Sequence, residues 1–253
     1  MSSERLAHDG VLRLAMWSGP RNLSTAFMRS WENRDDTVVV DEPFYAHYLF
    51  TTGVDHPGRN EVLASQPTDW RVVVQQLLAP LPADVRILFQ KQMAHHLLPD
   101  MGRDWLGAMT HAFLIRDPHS MVASLEGKLG SFDLLQTGLT QQVEIFEQVA
   151  QRTGRAPPVL DTDDLLQRPE PMLRALCTAL DVPFSTRMLA WPAGPRETDG
   201  VWAKHWYDRV EASTGFEPPP PTTERKPLPP ALTDIEARCR PLYERLRVHR
   251  LHA

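Results

Sequence analysis

Two cysteines among 253 residues leave almost nothing from which to build a disulfide framework. Cys177 and Cys239 lie far apart, each inside a helical-looking segment, and both read as reduced thiols in a cytoplasmic chain. A cationic surplus is missing as well. The formal net charge is −5, which argues against nucleic acid as the main partner, since duplex binding needs a cationic face. No apolar run approaches the roughly 20 residues that span a bilayer. The polar start MSSERLAHDG has no apolar signal region, so neither membrane nor export is expected. There is no internal repeat, and no Asp, Glu, His or Cys cluster has metal-ligand spacing.

What is present is a regular alternation. The runs VLRLAMW, TVVVDE, VRILFQK and HAFLIRD are continuously apolar, as strands buried on both faces of a parallel sheet are. With a shorter fifth run they place strands at Leu12–Trp17, Thr37–Val40, Val85–Gln90, Ala112–Ile115 and Pro158–Leu160. Between them, Leu23, Ala26, Phe27, Ser30 and Trp31 fall on one helix face. LLQTGLTQQVEIFEQVAQRTG predicts a long amphipathic helix stopping at Gly154, and PEPMLRALCTAL a helix with prolines in its first turn. The fold class is therefore α/β, a βαβ-wound parallel sheet flanked by helices, in one domain over residues 1–253. The proline-rich EPPPPTTERKPLPP, residues 217–230, reads as an extended surface segment leading to a last helix, Leu232–Leu246.

Ligands of such sheets bind at the carboxyl ends of the strands. The conspicuous polar residues collect there: Ser18–Thr25 after the first strand, Asp41 and Glu42 after the second, Lys91 after the third, Arg116 and Asp117 after the fourth. WSGPRNLSTAF places a turn and a helix start directly after a strand, where free backbone N–H groups and the helix dipole favour an anion. Yet the lysine of G-x-x-x-x-G-K-[ST] is absent, and Arg21 is the segment's one cation. In FLIRDPHSMVAS, Asp117-Pro118 reads as N-cap and first helical residue, which leaves Arg116 facing the crevice. An ion pair with Asp117 or Asp161 is the competing assignment for that arginine.

Taken together, PRNLST (20–25) and RDPHSMVAS (116–124) resemble the two nucleotide motifs of the sulfotransferases that use 3′-phosphoadenosine-5′-phosphosulfate, PAPS. VLDTDDLL (159–166) and DGVWAKHWYDR (199–209) resemble later segments of that family more weakly. The resemblance implies a P-loop, nucleotide-kinase-like architecture of three layers, and PAPS as donor with adenosine 3′,5′-bisphosphate as product. Arg21, Ser24, Thr25 and the backbone of Asn22 would then meet the 5′-phosphosulfate, and Arg116 and Ser124 the 3′-phosphate. Lys204 and His205 would contact the distal phosphate, and no metal is needed. Leu23 stands where the family motif has glycine.

For the proton of the acceptor, two bases are open. Glu42, in VVVDEPFYAHYL, resembles the glutamate of carbohydrate-type members; His95 and His96, in FQKQMAHHLLP, resemble the lysine–histidine pair of small-molecule members at a longer spacing. A salt bridge from Glu42 to Arg21 or Lys91 is the plainer alternative, and packing is the alternative for the histidines. Lys91 is a candidate for stabilising the leaving phosphate, and Trp17 and Trp202 stand where an adenine could stack. The acceptor, a small molecule or carbohydrate, would sit among residues 45–70 and 127–138, and a proline-rich arm is suited to wrapping a second copy. Two other readings share these residues. One is a metal-assisted phosphotransferase with Asp41 as the Mg²⁺ ligand, and the other is a non-catalytic nucleotide-binding member of the fold.

Overall fold

The computed structural model describes residues 10–218 and 227–253. Five strands form one sheet: β1 (Leu12–Ser18), β2 (Thr37–Asp41), β3 (Ile87–Met93), β4 (Thr110–Ile115) and β5 (Val159–Asp161). All are parallel, in the order β2-β3-β1-β4-β5. The helices bearing on the argument are α1 (Ser24–Glu32), α2 (Tyr45–Thr52), α3 (Arg59–Ser65), α4 (Trp70–Leu78), α5 (Pro118–Leu129), α6 (Leu139–Thr153), α7 (Thr162–Gln167), α8 (Pro169–Leu180), α9 (Ala203–Trp206), α10 (Asp208–Glu211) and α11 (Pro230–Arg247).

Side chains alternate across a strand, so β1 feeds two cores. Leu12, Leu14 and Met16 meet Phe27, Met28 and Trp31 of α1 and Met172, Leu173 and Leu176 of α8 on one face. Ala15 and Trp17 meet residues of α4, α5, α6 and α11 on the other. The three layers follow from that alternation. A third cluster joins Tyr45, Tyr48 and Leu49 of α2, Val62 of α3, Trp202 and Tyr207. It lies beside the sheet and walls one side of the crevice described below.

The expected strands are all present, with one consequential extension. β3 does not stop at Gln90 but runs to Met93, so Lys91 lies within the strand rather than after it. Gln90, Lys91 and Gln92 break the apolar pattern yet are buried, because each finds a polar partner: Gln92 donates to Gln90 Oε1 (2.9 Å), and Lys91 is ion-paired. β2, an edge strand, is half-buried rather than covered on both faces.

The long helix expected over 134–154 is two pieces. A single 3-10 turn at Leu135–Thr137 is followed by Gly138 at φ 75°, then α6, which ends as expected at Gly154. The break has a packing cause. A Cβ at Gly19 would sit 2.3 Å from the Thr137 carbonyl oxygen, and one at Gly138 would sit 3.2 Å from Gly19 Cα. Two glycines let these backbones touch.

Both cysteines are buried and free. The last helix runs from Pro230 to Arg247, with Pro241 inside it. Much of the proline-rich segment 217–230, and most of the polar start, lie outside the described residues. No described helix is long and apolar enough to cross a membrane.

Candidate active site

A cavity of about 530 Å³ opens over the carboxyl ends of the strands. Its two halves differ in charge.

The first half is built by the β1–α1 loop. Leu23 takes the left-handed conformation itself, at φ 65° and ψ 12°, and Arg21 does so at φ 62°. The loop thus keeps the shape that a glycine would have made easy, at a cost of about 1 kcal/mol for each non-glycine residue. α1 begins at Ser24, so its unpaired first-turn N–H groups face the crevice beside the Ser24 and Thr25 hydroxyls. The Asn22 side chain turns inward, 3.4 Å from the Leu114 carbonyl, leaving its backbone to the loop.

Three guanidinium groups line this half: Arg21, Arg116 and Arg209. Arg21 Nε donates to Ser124 Oγ (3.0 Å), which ties the two motifs together across the cavity. Arg116 Nη1 donates to the Arg21 carbonyl (2.6 Å), and Arg116 Nε is buried with no partner. The competing assignment for Arg116 does not hold among the described residues. Asp117 caps α5 by accepting from Ser120 N and pairs with Arg240 (2.8 Å), while Asp161 caps α7 and accepts from Tyr243 Oη (2.6 Å). Burial first, then the charges of Arg116 and Arg209, lowers the Arg21 pKa. Such crowding of like charge marks a place that an anion would relieve.

The second half is aromatic and acidic. Glu42, Tyr45, Tyr48, His56, His95, His96 and Trp206 line it. His96 lies between the rings of Tyr45 and Tyr48, each centroid 4.8 Å away, and Tyr45 Oη is 2.9 Å from His56 Nδ1. Burial pushes His95 down to about 3 and His96 well below the usual histidine range. Neither carries charge at neutral pH. Burial raises the Glu42 carboxyl, Lys91 opposes that shift and Asp41 adds to it.

Lys91 is 1 % exposed and bonded to Asp41 Oδ1 (2.9 Å), Glu42 Oε1 (2.8 Å) and Tyr207 Oη (2.5 Å). The plain alternative for Glu42, a salt bridge to Lys91, is therefore present. It uses one carboxylate oxygen. Oε2 makes no hydrogen bond among the described residues and lies 4.0 Å from His96 Nε2. Asp41 is spent differently. With Oδ1 on Lys91 and Oδ2 accepting from Tyr207 Oη (2.6 Å) and Gly200 N (3.3 Å), both of its oxygens are engaged inside the protein, so it is not poised as a Mg²⁺ ligand.

Other expected residues lie elsewhere. Lys204 points outward onto Glu61 (2.8 and 2.6 Å), and neither it nor His205 lines the cavity. The cation that does so from the same stretch is Arg209, the second residue of α10. Trp17 and Trp202 are buried and unavailable for stacking: Trp17 Nε1 donates to His111 Nδ1 (2.9 Å) and Trp202 Nε1 to Tyr207 Oη (3.0 Å). Of the segments assigned to the acceptor, 45–70 contributes Tyr45, Tyr48 and His56, and 127–138 contributes Leu129 and Gln136.

A sulfotransferase-domain family model matches residues 12–248. In Arabidopsis thaliana, branched-chain-amino-acid aminotransferase-like protein 2 is 37 % identical over 236 residues, covering 93 % of this chain and 41 % of that protein. Its paralogue, protein 1, is 38 % identical over 237 residues, covering 94 % and 42 %. The chain thus spans about two fifths of the length of these relatives. The sulfotransferase domain of the Synechococcus PCC 7002 olefin synthase superposes with a TM-score of 0.50 at 15 % identity, over 93 % of this chain and 97 % of that one, a likeness of fold alone. With the family model covering PRNLST, RDPHSMVAS, all five strands and the last helix, the chain belongs to the sulfotransferase domain family.

Proposed function

We propose that the chain transfers a sulfuryl group from PAPS to a hydroxyl or amine of a small molecule or sugar. One observation carries the reading: a single cavity holds three arginines at one end and a half-free carboxylate, Glu42 Oε2, at the other. The arginine end fits the donor's phosphates, because the loop N–H groups, Arg21, and the partnerless Nε of Arg116 all await an anion. On this reading Arg21, Asn22 N–H, Ser24 and Thr25 hold the 5′-phosphosulfate, and Arg116, Ser124 and Arg209 hold the 3′-phosphate. The bound donor supplies a sulfuryl group whose bond to the phosphate oxygen breaks as the bond to the acceptor forms, the electron pair leaving with the phosphate.

The acceptor's proton goes to Glu42 Oε2. A histidine held near pKa 3 takes no proton at neutral pH, whereas a carboxylate raised by burial does so more readily than an exposed one. The neutral rings of His95 and His96 instead shape the acceptor's wall beside Tyr45 and Tyr48.

Thermal unfolding tests the reading with adenosine 3′,5′-bisphosphate, ADP, AMP and ATP–Mg²⁺. A ligand at about 100 times its Kd stabilises by roughly 2.7 kcal/mol, several degrees for a chain of this size. The expected result is a shift with the bisphosphate, none with ADP, and its loss in Arg116→Ala. A shift with ATP–Mg²⁺ alone would overturn the reading in favour of a phosphotransferase, and no shift with any of the four would leave the loop a structural turn.

A further inference from the structure

We propose that Lys91 is a positioning residue for the Glu42 carboxylate, locked in place by Asp41 and Tyr207, and is not a donor to the leaving phosphate. This rests on the sulfotransferase reading of the cavity, in which Glu42 receives the acceptor's proton.

An ammonium has three N–H donors. Lys91 has committed all three, at 2.9 Å to Asp41 Oδ1, 2.8 Å to Glu42 Oε1 and 2.5 Å to Tyr207 Oη. The partners are saturated in turn. Tyr207 Oη donates its single proton to Asp41 Oδ2 (2.6 Å) and accepts a second bond from Trp202 Nε1 (3.0 Å). Reaching a phosphate would require Lys91 to abandon a buried carboxylate, which is costly for a pair this deep.

The backbone is arranged for this contact. Asp41 and Lys91 are register partners on adjacent parallel strands. Alternation would send the next residue, Glu42, to the opposite face. Instead Glu42 takes φ 41°, an uncommon conformation for a side chain of its size, and donates its N–H to the Lys91 carbonyl (3.1 Å). Its carboxylate comes back over the same lysine that Asp41 holds. Consecutive carboxylates thus meet one cation, and strain at a single residue is the device that allows it.

Two carboxylates around one ammonium leave one negative charge over, and the oxygen free of bonding is Glu42 Oε2. The charged and titratable groups facing that carboxylate are Asp41 from β2, Lys91 from β3, His96 at 4.0 Å from the turn after β3, Tyr45 from α2 and Tyr207 between α9 and α10. Burial alone would pull Lys91 down, but Asp41 and Glu42 outweigh it and keep the ammonium charged.

The experiment follows the Glu42 side-chain carboxyl by ¹³C NMR in glutamate-labelled protein, the signal being assigned by its absence in Glu42→Gln. The Kd for adenosine 3′,5′-bisphosphate is measured alongside. In Lys91→Met, loss of a cation at hydrogen-bond distance should raise the Glu42 titration by about 1–3 pH units while the Kd stays within about twofold. Asp41→Asn, which removes a like charge and keeps the shape in case Lys91→Met does not fold, should move the titration down, again without weakening the bisphosphate. An unmoved Glu42 titration in the folded variants, or a Kd weakened about tenfold or more in Lys91→Met, would overturn the proposal. Should the unaltered protein fail to bind the bisphosphate, the sulfotransferase reading falls, but the titration still decides whether Lys91 governs Glu42.

Discussion

At the scale of single residues, the site divides into positions that announce themselves locally and positions that do not. Arg21, Ser24 and Arg116 stand close behind strand ends and Ser124 closes the segment RDPHSMVAS, and the structure brings the two segments together through the Arg21–Ser124 contact. Arg209 and Tyr207 do not announce themselves. Their segment is brought over the crevice by remote contacts, Asp199 on Arg29 (2.6 Å) and Gly200 N on Asp41, which no local pattern encodes. The same stretch shows why composition misleads: Lys204 is the more conspicuous cation, but α9 turns it toward Glu61. Leu23 carries a prediction of its own. Replacing it with glycine would relieve about 1 kcal/mol of left-handed strain. Against this stand the glycine's added chain entropy, about 0.5–1 kcal/mol, and the lost packing of a half-buried leucine, about 1 kcal/mol or more. Leu23→Gly is therefore expected to lose about 1 kcal/mol in urea denaturation, although it restores the residue that the motif ordinarily carries. A gain in stability would show that strain dominates.

A secondary-structure element is legible in the sequence where burial alone decides it and hidden where a distant partner decides it. Continuous apolar runs gave all five strands, because a strand covered on both faces has no polar side to show. β3 runs on past its apolar residues: Gln90, Lys91 and Gln92 resemble a strand's end in sequence, and only Asp41 on the neighbouring strand, standing beside the lysine, makes their burial possible. The break in front of α6 has no local signal for a similar reason: Gly138 is needed where the backbone meets Gly19, a contact between distant parts of the chain. The last helix, by contrast, was expected, but its task was not. α11 brings Arg240 to Asp117 and Tyr243 to Asp161, the two carboxylates that cap α5 and α7 at the strand ends. Removing the buried hydroxyl in Tyr243→Phe leaves Asp161 Oδ2 without its donor, a loss expected to cost about 1–3 kcal/mol. Urea denaturation of the variant measures this, and an unchanged midpoint would mean that α11 is held by its apolar face alone.

For the molecule as a whole, the buried histidines set the acid limit. His111 accepts from Trp17 Nε1 and lies 2.9 Å from the Leu106 carbonyl through Nε2, and burial pushes it down to about 4; His95 lies at about 3 and His96 is lowered too. These folded-state values lie below that of an unfolded histidine, about 6.5. Below that pH the unfolded chain binds protons that the folded chain refuses, so stability is full above about 6.5 and falls as pH drops toward 4. Each such histidine steepens the fall by about 1.4 kcal/mol per pH unit. Urea midpoints at pH 7, 6 and 5 should decline progressively, and His111→Gln should flatten the slope; a midpoint constant over that range would contradict the assignment. The strand order has a consequence in time rather than energy. β1 is the centre of the sheet, buried along its whole length, and its neighbours β3 and β4 come much later in the chain. During synthesis at about 5–20 residues per second, LRLAMWS must wait several seconds for either of them. Over that interval a ribbon that the folded sheet buries along its whole length has nothing to pair with, which leaves the nascent chain open to off-pathway association until β3 arrives.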